Sequence, residues 1–299
     1  MKHSAKEWLI VTRYWSFAVS AMPVIATFAY LFSRGQLGGG FKPYLILILS
    51  ILGVIILHAA GNVLSDYYDY KSGVDNENAF AVPNLVFHKF EPKEYLWFSI
   101  ILFVVGIIIG VVITLLSGPG LLIIGGVGAL LTILYSFLKY HALGDLDIFI
   151  IFGVLTVLGT AYAITGSFCP EALVLSVPVG LITVSVLHAN NTYDTNSDRE
   201  AGIKTFAMLI GQKASSVLYQ AYMVIPFLCV IVSVIAGWLH PLSLLCLGAA
   251  VPAWKNLKQA AGFDKEGLEA MKGLDQASAK LQMAFSGLLS LGLVIAGLI

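Results

Sequence analysis

Long apolar runs broken by short polar stretches dominate the chain. A helix needs about 20 apolar residues to cross a bilayer, and the runs predict nine such helices, over 14–33, 43–65, 95–117, 119–138, 146–166, 172–192, 215–237, 240–256 and 279–299. Pro241 and Pro252 make the eighth the shortest and least regular. The N-terminal stretch from Met1 to Arg13 is mildly amphipathic and leads directly into a full-length apolar run, which predicts a retained first span and not a cleaved leader. The predicted fold class is all-α: a polytopic membrane protein whose residues 1–299 form one helical bundle and one domain.

Composition agrees with this pattern. The chain is 58% hydrophobic and 11% charged, against about 45–50% and about 25% in a soluble domain. Lys plus Arg and Asp plus Glu balance at 17 each, so there is no basic footprint for nucleic acid. Cys169, Cys229 and Cys246 are isolated in or beside apolar runs with no C-x-x-C, so neither a disulfide framework nor a zinc site is indicated. With nine spans, one side receives Lys2, Lys6 and Arg13 and the basic residues of the loops after spans two, four, six and eight, and the other receives only Arg34 and Lys42. The positive-inside rule then puts the N-terminus in the cytoplasm and the C-terminus on the opposite side of the cell membrane. The sequence implies the lipid bilayer as surroundings and no obligate protein partner.

Two polar clusters interrupt the apolar pattern at span ends, both on the predicted cytoplasmic side. The first is Asn62-x-x-Ser65-Asp66-x-x-Asp69-x-x-x-Gly73-x-Asp75, and the second is Asn190-Asn191-x-Tyr193-Asp194-x-x-x-Asp198-Arg199-x-x-Gly202-x-Lys204. On a helix, Asn62, Asp66 and Asp69 fall within an arc of roughly 60°, and Asn190, Asp194 and Asp198 within roughly 80°. Carboxylates stacked on one face repel each other, and a cation relieves the repulsion. Hard oxygen ligands favour Mg²⁺ or Ca²⁺, and Mg²⁺ commonly shares its shell between one or two carboxylates and a phosphate. His58 and His188, each inside an apolar run, read as hydrogen-bonded core histidines.

These motifs resemble the UbiA-type intramembrane prenyltransferases, most closely the 1,4-dihydroxy-2-naphthoate polyprenyltransferases of the menaquinone pathway. Further matches are Arg13-x-x-Ser16, Tyr135-Ser136 with Lys139, Leu143-Gly144-Asp145-Leu146, Gly159-Thr160 and Leu274-Asp275, so the resemblance covers essentially the whole chain. It implies a helical bundle around a central cavity open to the cytoplasmic side, and transfer of an isoprenoid chain from a prenyl diphosphate to an aromatic acceptor. It further implies that Asp66, Asp69, Asp194 and Asp198, with Asn62, hold Mg²⁺ on the diphosphate, and that Asn190 or Asn191 orients them. Arg13, Lys139, Arg199 and Lys204 are then expected at diphosphate oxygens, with Asp75 and Asp145 in the substrate site. Tyr135 and Tyr193, with Tyr67 or Tyr68, are candidates to shield an allylic cation.

One stretch departs from the branch. Its members carry arginines shortly after the first motif, whereas residues 75–89 here contain none. A lysine does not reproduce the bidentate guanidinium, so either Lys71, His88 or Lys89 takes over, or the donor or acceptor differs, or the protein is a weakened paralogue. Two other classes compete more broadly. A phospholipid-type phosphotransferase places both acidic sets in one segment, unlike this chain, and a cation transporter places its ligands near the bilayer midplane and not at one edge.

Overall fold

The computed structural model describes residues 3–74 and 84–299; Asp75 and most of the arginine-poor stretch fall outside them. A short N-terminal helix, α1 (Ala5–Val11), begins at a capping box in which Ser4 and Glu7 bond reciprocally. The helices α2 (Phe17–Ser33), α3 (Lys42–Ser72), α4 (Pro92–Ser117) and α5 (Gly120–Tyr140) follow. The next span is composite: α6 (Gly144–Ile148), a π-helical stretch (Phe149–Leu155) and α7 (Thr156–Thr165). Then come α8 (Ser176–Tyr193), the short α9 (Thr195–Glu200) and α10 (Phe206–Ile210), α11 (Gln212–Ile235), α12 (Ala250–Ala261), α13 (Phe263–Glu266) and α14 (Leu274–Leu298).

Among the described residues eight helices are long and apolar enough to cross a membrane. The expected span over 240–256 is not one of them. The chain there starts as a 3-10 helix (Pro241–Ala249) and becomes the strongly amphipathic α12, which carries Lys255 and Lys258. It still runs alongside its neighbours: Leu242 packs on Gly292 of α14, and at the far end Ala260 accepts a hydrogen bond from Ser216 Oγ of α11 (2.9 Å).

α8 is the central helix, packed against α11, α14 and the π-helical stretch, and its span is the most buried of the eight. α5 is the outermost, with only Leu121 and Ser136 buried. One buried network ties the centre together. His188 of α8 meets Asp145 Oδ2 of α6 through Nδ1 (2.5 Å) and Ser215 Oγ of α11 through Nε2 (2.9 Å). Thr192 Oγ1 joins the same serine at 2.5 Å. A buried polar group is tolerated only when it is paired, and this network explains why an apolar helix carries a histidine.

α3 has 31 residues and is therefore about 46 Å long, well beyond the ~30 Å hydrocarbon core. The excess carries the first acidic motif. Both motifs end in the same way. Gly73 follows Asp69 by four positions and Gly202 follows Asp198 by four, each in the left-handed conformation (φ 78° and 74°) that glycine tolerates best. The next amide then bonds back to the aspartate carbonyl: Val74 N to Asp69 O at 2.9 Å, and Ile203 N to Asp198 O at 3.1 Å.

Candidate active site

The C-terminal ends of α3, α5 and α8, with α9 and the entry to α2, bring the two acidic clusters into one electrostatic neighbourhood. Arg13 sits between α1 and α2 with φ 55°, a costly conformation for a non-glycine residue. Its Nη2 lies 2.5 Å from Asp66 Oδ1. Lys139 Nζ of α5 lies 3.5 Å from Asp69 Oδ2, and Tyr140 donates its hydroxyl to the same carboxylate. Asn190 Nδ2 donates to Asp194 Oδ2 at 2.9 Å, and Asn62 Nδ2 donates to Thr12 O at 3.1 Å.

Asp194 and Asp198 lie beyond the end of α8. Burial pushes the Asp194 carboxyl up to about 6, with Lys139 and Arg13 pulling it down and Asp275 pushing it up. Burial likewise pushes Asp198 up to about 7, opposed by Lys139 and reinforced by Asp194 and Asp69. The second cluster thus feels the carboxylate of the first and the lysine that pairs with it. Among the described residues, no three His, Cys, Asp or Glu groups close on one point as a ready ligand set. The donor chemistry nevertheless fits a hard cation shared with an anionic ligand, because Asp198 Oδ2 is buried without a hydrogen-bond partner and every candidate ligand is an oxygen.

Carboxylates must be ionised to hold a metal. A hard divalent cation is therefore expected to bind more tightly as pH rises through about 6 to about 7. The metal-free fold has the opposite sign. Folded-state values above the ordinary carboxyl value of about 3.9 mean that the native state keeps protons the unfolded chain has lost. Stability should fall as pH climbs from about 4 to about 7, and added cation should restore it. Calorimetric Mg²⁺ titration and melting at pH 5.5 and 7.5 check both signs; a pH-independent Mg²⁺ midpoint counts against the two aspartates as ligands.

Below this mouth an apolar cavity of ≈ 310 Å³ extends into the bundle. Arg13, Asn62, Tyr135, Asn190 and Asp275 line its upper end, and faces of α3, α4, α5 and the composite span form its walls. His58 lies on it with Nδ1 3.2 Å from Ser20 Oγ and its ring edge-on to Phe152.

Several expected site residues stand elsewhere. Asp145 is buried in its pair with His188 and does not line the cavity, because the histidine captures the carboxylate. Arg199 and Lys204 are exposed and off the cavity; the Lys204 backbone pairs with Tyr140 and His141 instead. Asn191 is buried beside the mouth with Oδ1 lacking a partner. Tyr193 packs on the core beside Lys272, Tyr67 packs among apolar residues, and Tyr68 is exposed, so of the four candidate tyrosines only Tyr135 faces the cavity. Lys89 is engaged with Glu7 at 3.3 Å.

Sequence reading missed Tyr140 and Asp275 as site residues, and it missed the cavity walls. The signal for the walls was present as small residues at helical spacing, such as Gly53, Gly61, Gly125 and Gly128.

Fold and site together define a polytopic helical membrane protein with a mixed anionic and cationic mouth above an apolar well. The chain belongs to the UbiA prenyltransferase family, whose model matches residues 22–267. It is thereby an intramembrane prenyltransferase. It is 36% identical over 236 residues to "UbiA prenyltransferase domain-containing protein 1" of Mus musculus, covering 76% of this chain and 68% of that one. A UbiA homologue from Aeropyrum pernix K1 superimposes with a TM-score of 0.70 at 19% identity, covering 93% of this chain and 97% of that one. A homologue from Archaeoglobus fulgidus bound to GPP and Mg²⁺ gives 0.67 at 12% identity, covering 97% and 99%.

Proposed function

We propose that the protein transfers a prenyl group from a prenyl diphosphate to an aromatic acceptor at the cytoplasmic edge of the membrane, with Mg²⁺ on the diphosphate. The observation that carries this reading is the gathering of four aspartates around Arg13 and Lys139, with Asp66 and Asp69 paired to them and Asp194 and Asp198 within the field of Lys139, above an apolar well. A diphosphate needs both signs of charge around it, since cationic donors form its strong hydrogen bonds and its own charge needs a metal. An isoprenoid tail needs an apolar recess.

Asp66, Asp69, Asp194 and Asp198 would hold Mg²⁺, with Asn62 and Asn190 ordering the mouth. Bound Mg²⁺ supplies neutralisation of the charge that builds on the departing diphosphate. Arg13 and Lys139 bind the diphosphate oxygens as the C–O bond of the donor breaks. Tyr135 faces the allylic carbon from the wall and stabilises positive charge there by its ring. The apolar walls keep water from quenching that carbon. The electron-rich ring then forms the new C–C bond, and a ring proton or carboxyl group is lost as H⁺ or CO₂.

For the acceptor we assign a 1,4-dihydroxy-2-naphthoate, on the strength of the motif resemblance across both acidic clusters. The A. fulgidus homologue bound to GPP and Mg²⁺ supports the donor class and the metal. The test is incubation of the membrane protein with prenyl diphosphates and a panel of acceptors, with product masses recorded. A product mass reduced by CO₂ supports the naphthoate. Prenylated hydroxybenzoate, homogentisate, porphyrin or glycerophosphate lipid would replace it. Full activity in both Asp66→Ala and Asp198→Ala would sink the catalytic assignment. Mg²⁺ flux into proteoliposomes without any isoprenoid would favour a transporter.

A further inference from the structure

His58 and His188 share one sequence context: an imidazole inside an apolar run, followed by alanine and then by the asparagine of an acidic motif. The fold treats them differently. His188 is fully buried with both ring nitrogens engaged, Nδ1 on Asp145 and Nε2 on Ser215. His58 lines the cavity and engages only Nδ1, at 3.2 Å from Ser20 Oγ. Ser20 already gives its single hydroxyl proton to Phe17 O at 3.0 Å, so toward His58 it can only accept. The ring proton of His58 therefore sits on Nδ1, and Nε2 keeps a bare lone pair. Among the described residues no hydrogen bond reaches Nε2, and it is not one of the polar atoms sealed inside the protein. It opens into the cavity.

Along α3, His58 stands about 6 Å below Asn62 and about 12 Å below Asp66. Phe152, another wall residue, meets its ring edge-on at 5.3 Å between centroids. A neutral base beside an aromatic wall suits a flat aromatic ligand that carries a hydroxyl. The prenyl donor does not satisfy it, because its tail has no polar hydrogen and its diphosphate belongs with the cations of the mouth. A lone pair left facing hydrocarbon is costly. The other base on the cavity wall, Asp275, begins α14, where backbone amides bond to it and the charge of Arg13 reaches it.

We propose that His58 Nε2 takes the hydroxyl proton of the aromatic acceptor, as a catalytic residue outside both acidic motifs; the proposal rests on the prenyl-transfer reading above. The acceptor's O–H bond breaks, its proton goes to Nε2, and its electron pair stays on oxygen and feeds the ring. A ring carbon beside that oxygen forms the C–C bond to the allylic carbon, while the C–O pair of the donor leaves on the diphosphate. The new tetrahedral carbon then loses H⁺ to the released diphosphate, or CO₂ where it carries a carboxylate. Either loss returns an electron pair through the ring to oxygen, which takes the proton back from Nε2. His58 ends each turnover neutral.

The experiment uses the best acceptor of the panel above and ring-substituted analogues whose hydroxyls span a range of acidity. Product mass and diphosphate release are followed at saturating Mg²⁺ and prenyl diphosphate, for the unaltered protein and for His58→Gln. Glutamine keeps a hydrogen-bonding side chain but takes no proton at neutral pH. With a weakly acidic hydroxyl, kcat should fall by about 10²-fold, the lower end of what a positioned base contributes. The loss should shrink as the hydroxyl becomes acidic enough to ionise unaided, and KM for the donor should not change. Near-normal turnover of the most acidic acceptor also shows that the variant is folded. With the hydroxyl methylated, the two proteins should be equally slow. A loss of the same size across the whole series, as a merely structural role would give, overturns the proposal, and so does no loss at all. The acidity trend appearing in Asp275→Asn and not in His58→Gln overturns it as well. Absence of product from the unaltered protein with every acceptor overturns prenyl transfer itself.

Discussion

Asp198→Asn is expected to lower Mg²⁺-dependent diphosphate release by about 10²–10³-fold, the range seen when one preorganised charge-stabilising group is removed from an active site. Asp198 is 4% exposed and its Oδ2 has no hydrogen-bond partner. Such an oxygen is costly in the metal-free fold and useful only when a cation reaches it. The asparagine keeps the shape and the backbone bond from Ile203 N to residue 198, but it removes the negative charge. The variant should therefore insert normally and melt no lower than the unaltered protein, while its Mg²⁺ requirement rises. A coupled diphosphate-release assay across Mg²⁺ concentrations, run beside melting in detergent, separates the two effects. Unchanged turnover in a well-folded variant would remove Asp198 from the metal site.

Lys139→Met should damage both stability and activity. The lysine and Asp69 are 11% and 7% exposed in their side chains, and breaking a buried pair by removing one partner typically costs about 3–5 kcal/mol. Tyr140 still donates to Asp69, which places the expected loss toward the lower end of that range. Adding Asp69→Asn removes the stranded charge, so the double variant should recover most of the stability and none of the turnover. Unfolding free energies of the two single variants and the double variant form the cycle that measures the coupling. A single Lys139→Met variant as stable and active as the unaltered protein would show that the pair neither braces the fold nor serves the diphosphate.

Much of the membrane architecture was legible because the constraint is severe. A segment that crosses lipid must be about 20 apolar residues of helix, and eight predicted segments reappear with ends shifted by a few residues. The region over 240–256 differs because Pro241 starts a 3-10 helix and Lys255 and Lys258 make the continuation amphipathic, so its partner surfaces hold it, not its hydropathy. The acidic clusters were legible for the same local reason. Helical spacing puts Asp66 with Asp69 on one face of α3, whereas Asp194 falls at the junction of α8 and α9 and Asp198 on α9, and the glycine four residues after each motif's last aspartate follows the helix end.

Partnership was not legible. Asp145 carries the same charge and sits in the same kind of motif as Asp66, yet His188 takes it into the core while Arg13 holds Asp66 at the mouth. Arg199 directly follows Asp198 but points to solvent, because adjacent helix residues lie about 100° apart. Tyr140 and Asp275 entered the site only when α5 and α14 were packed beside α3 and α8.

By itself, then, the amino-acid sequence determined a polytopic helical protein with two carboxylate-rich helix ends, since hydropathy, helical periodicity and glycine caps act over a few residues. Only the tertiary structure decided which charges pair, which tyrosine faces the cavity and which helix faces wall it. Those outcomes depend on contacts between residues far apart in the chain, such as Arg13 with Asp66 and Tyr162 with Gly120, and local periodicity carries no information about which helix faces meet.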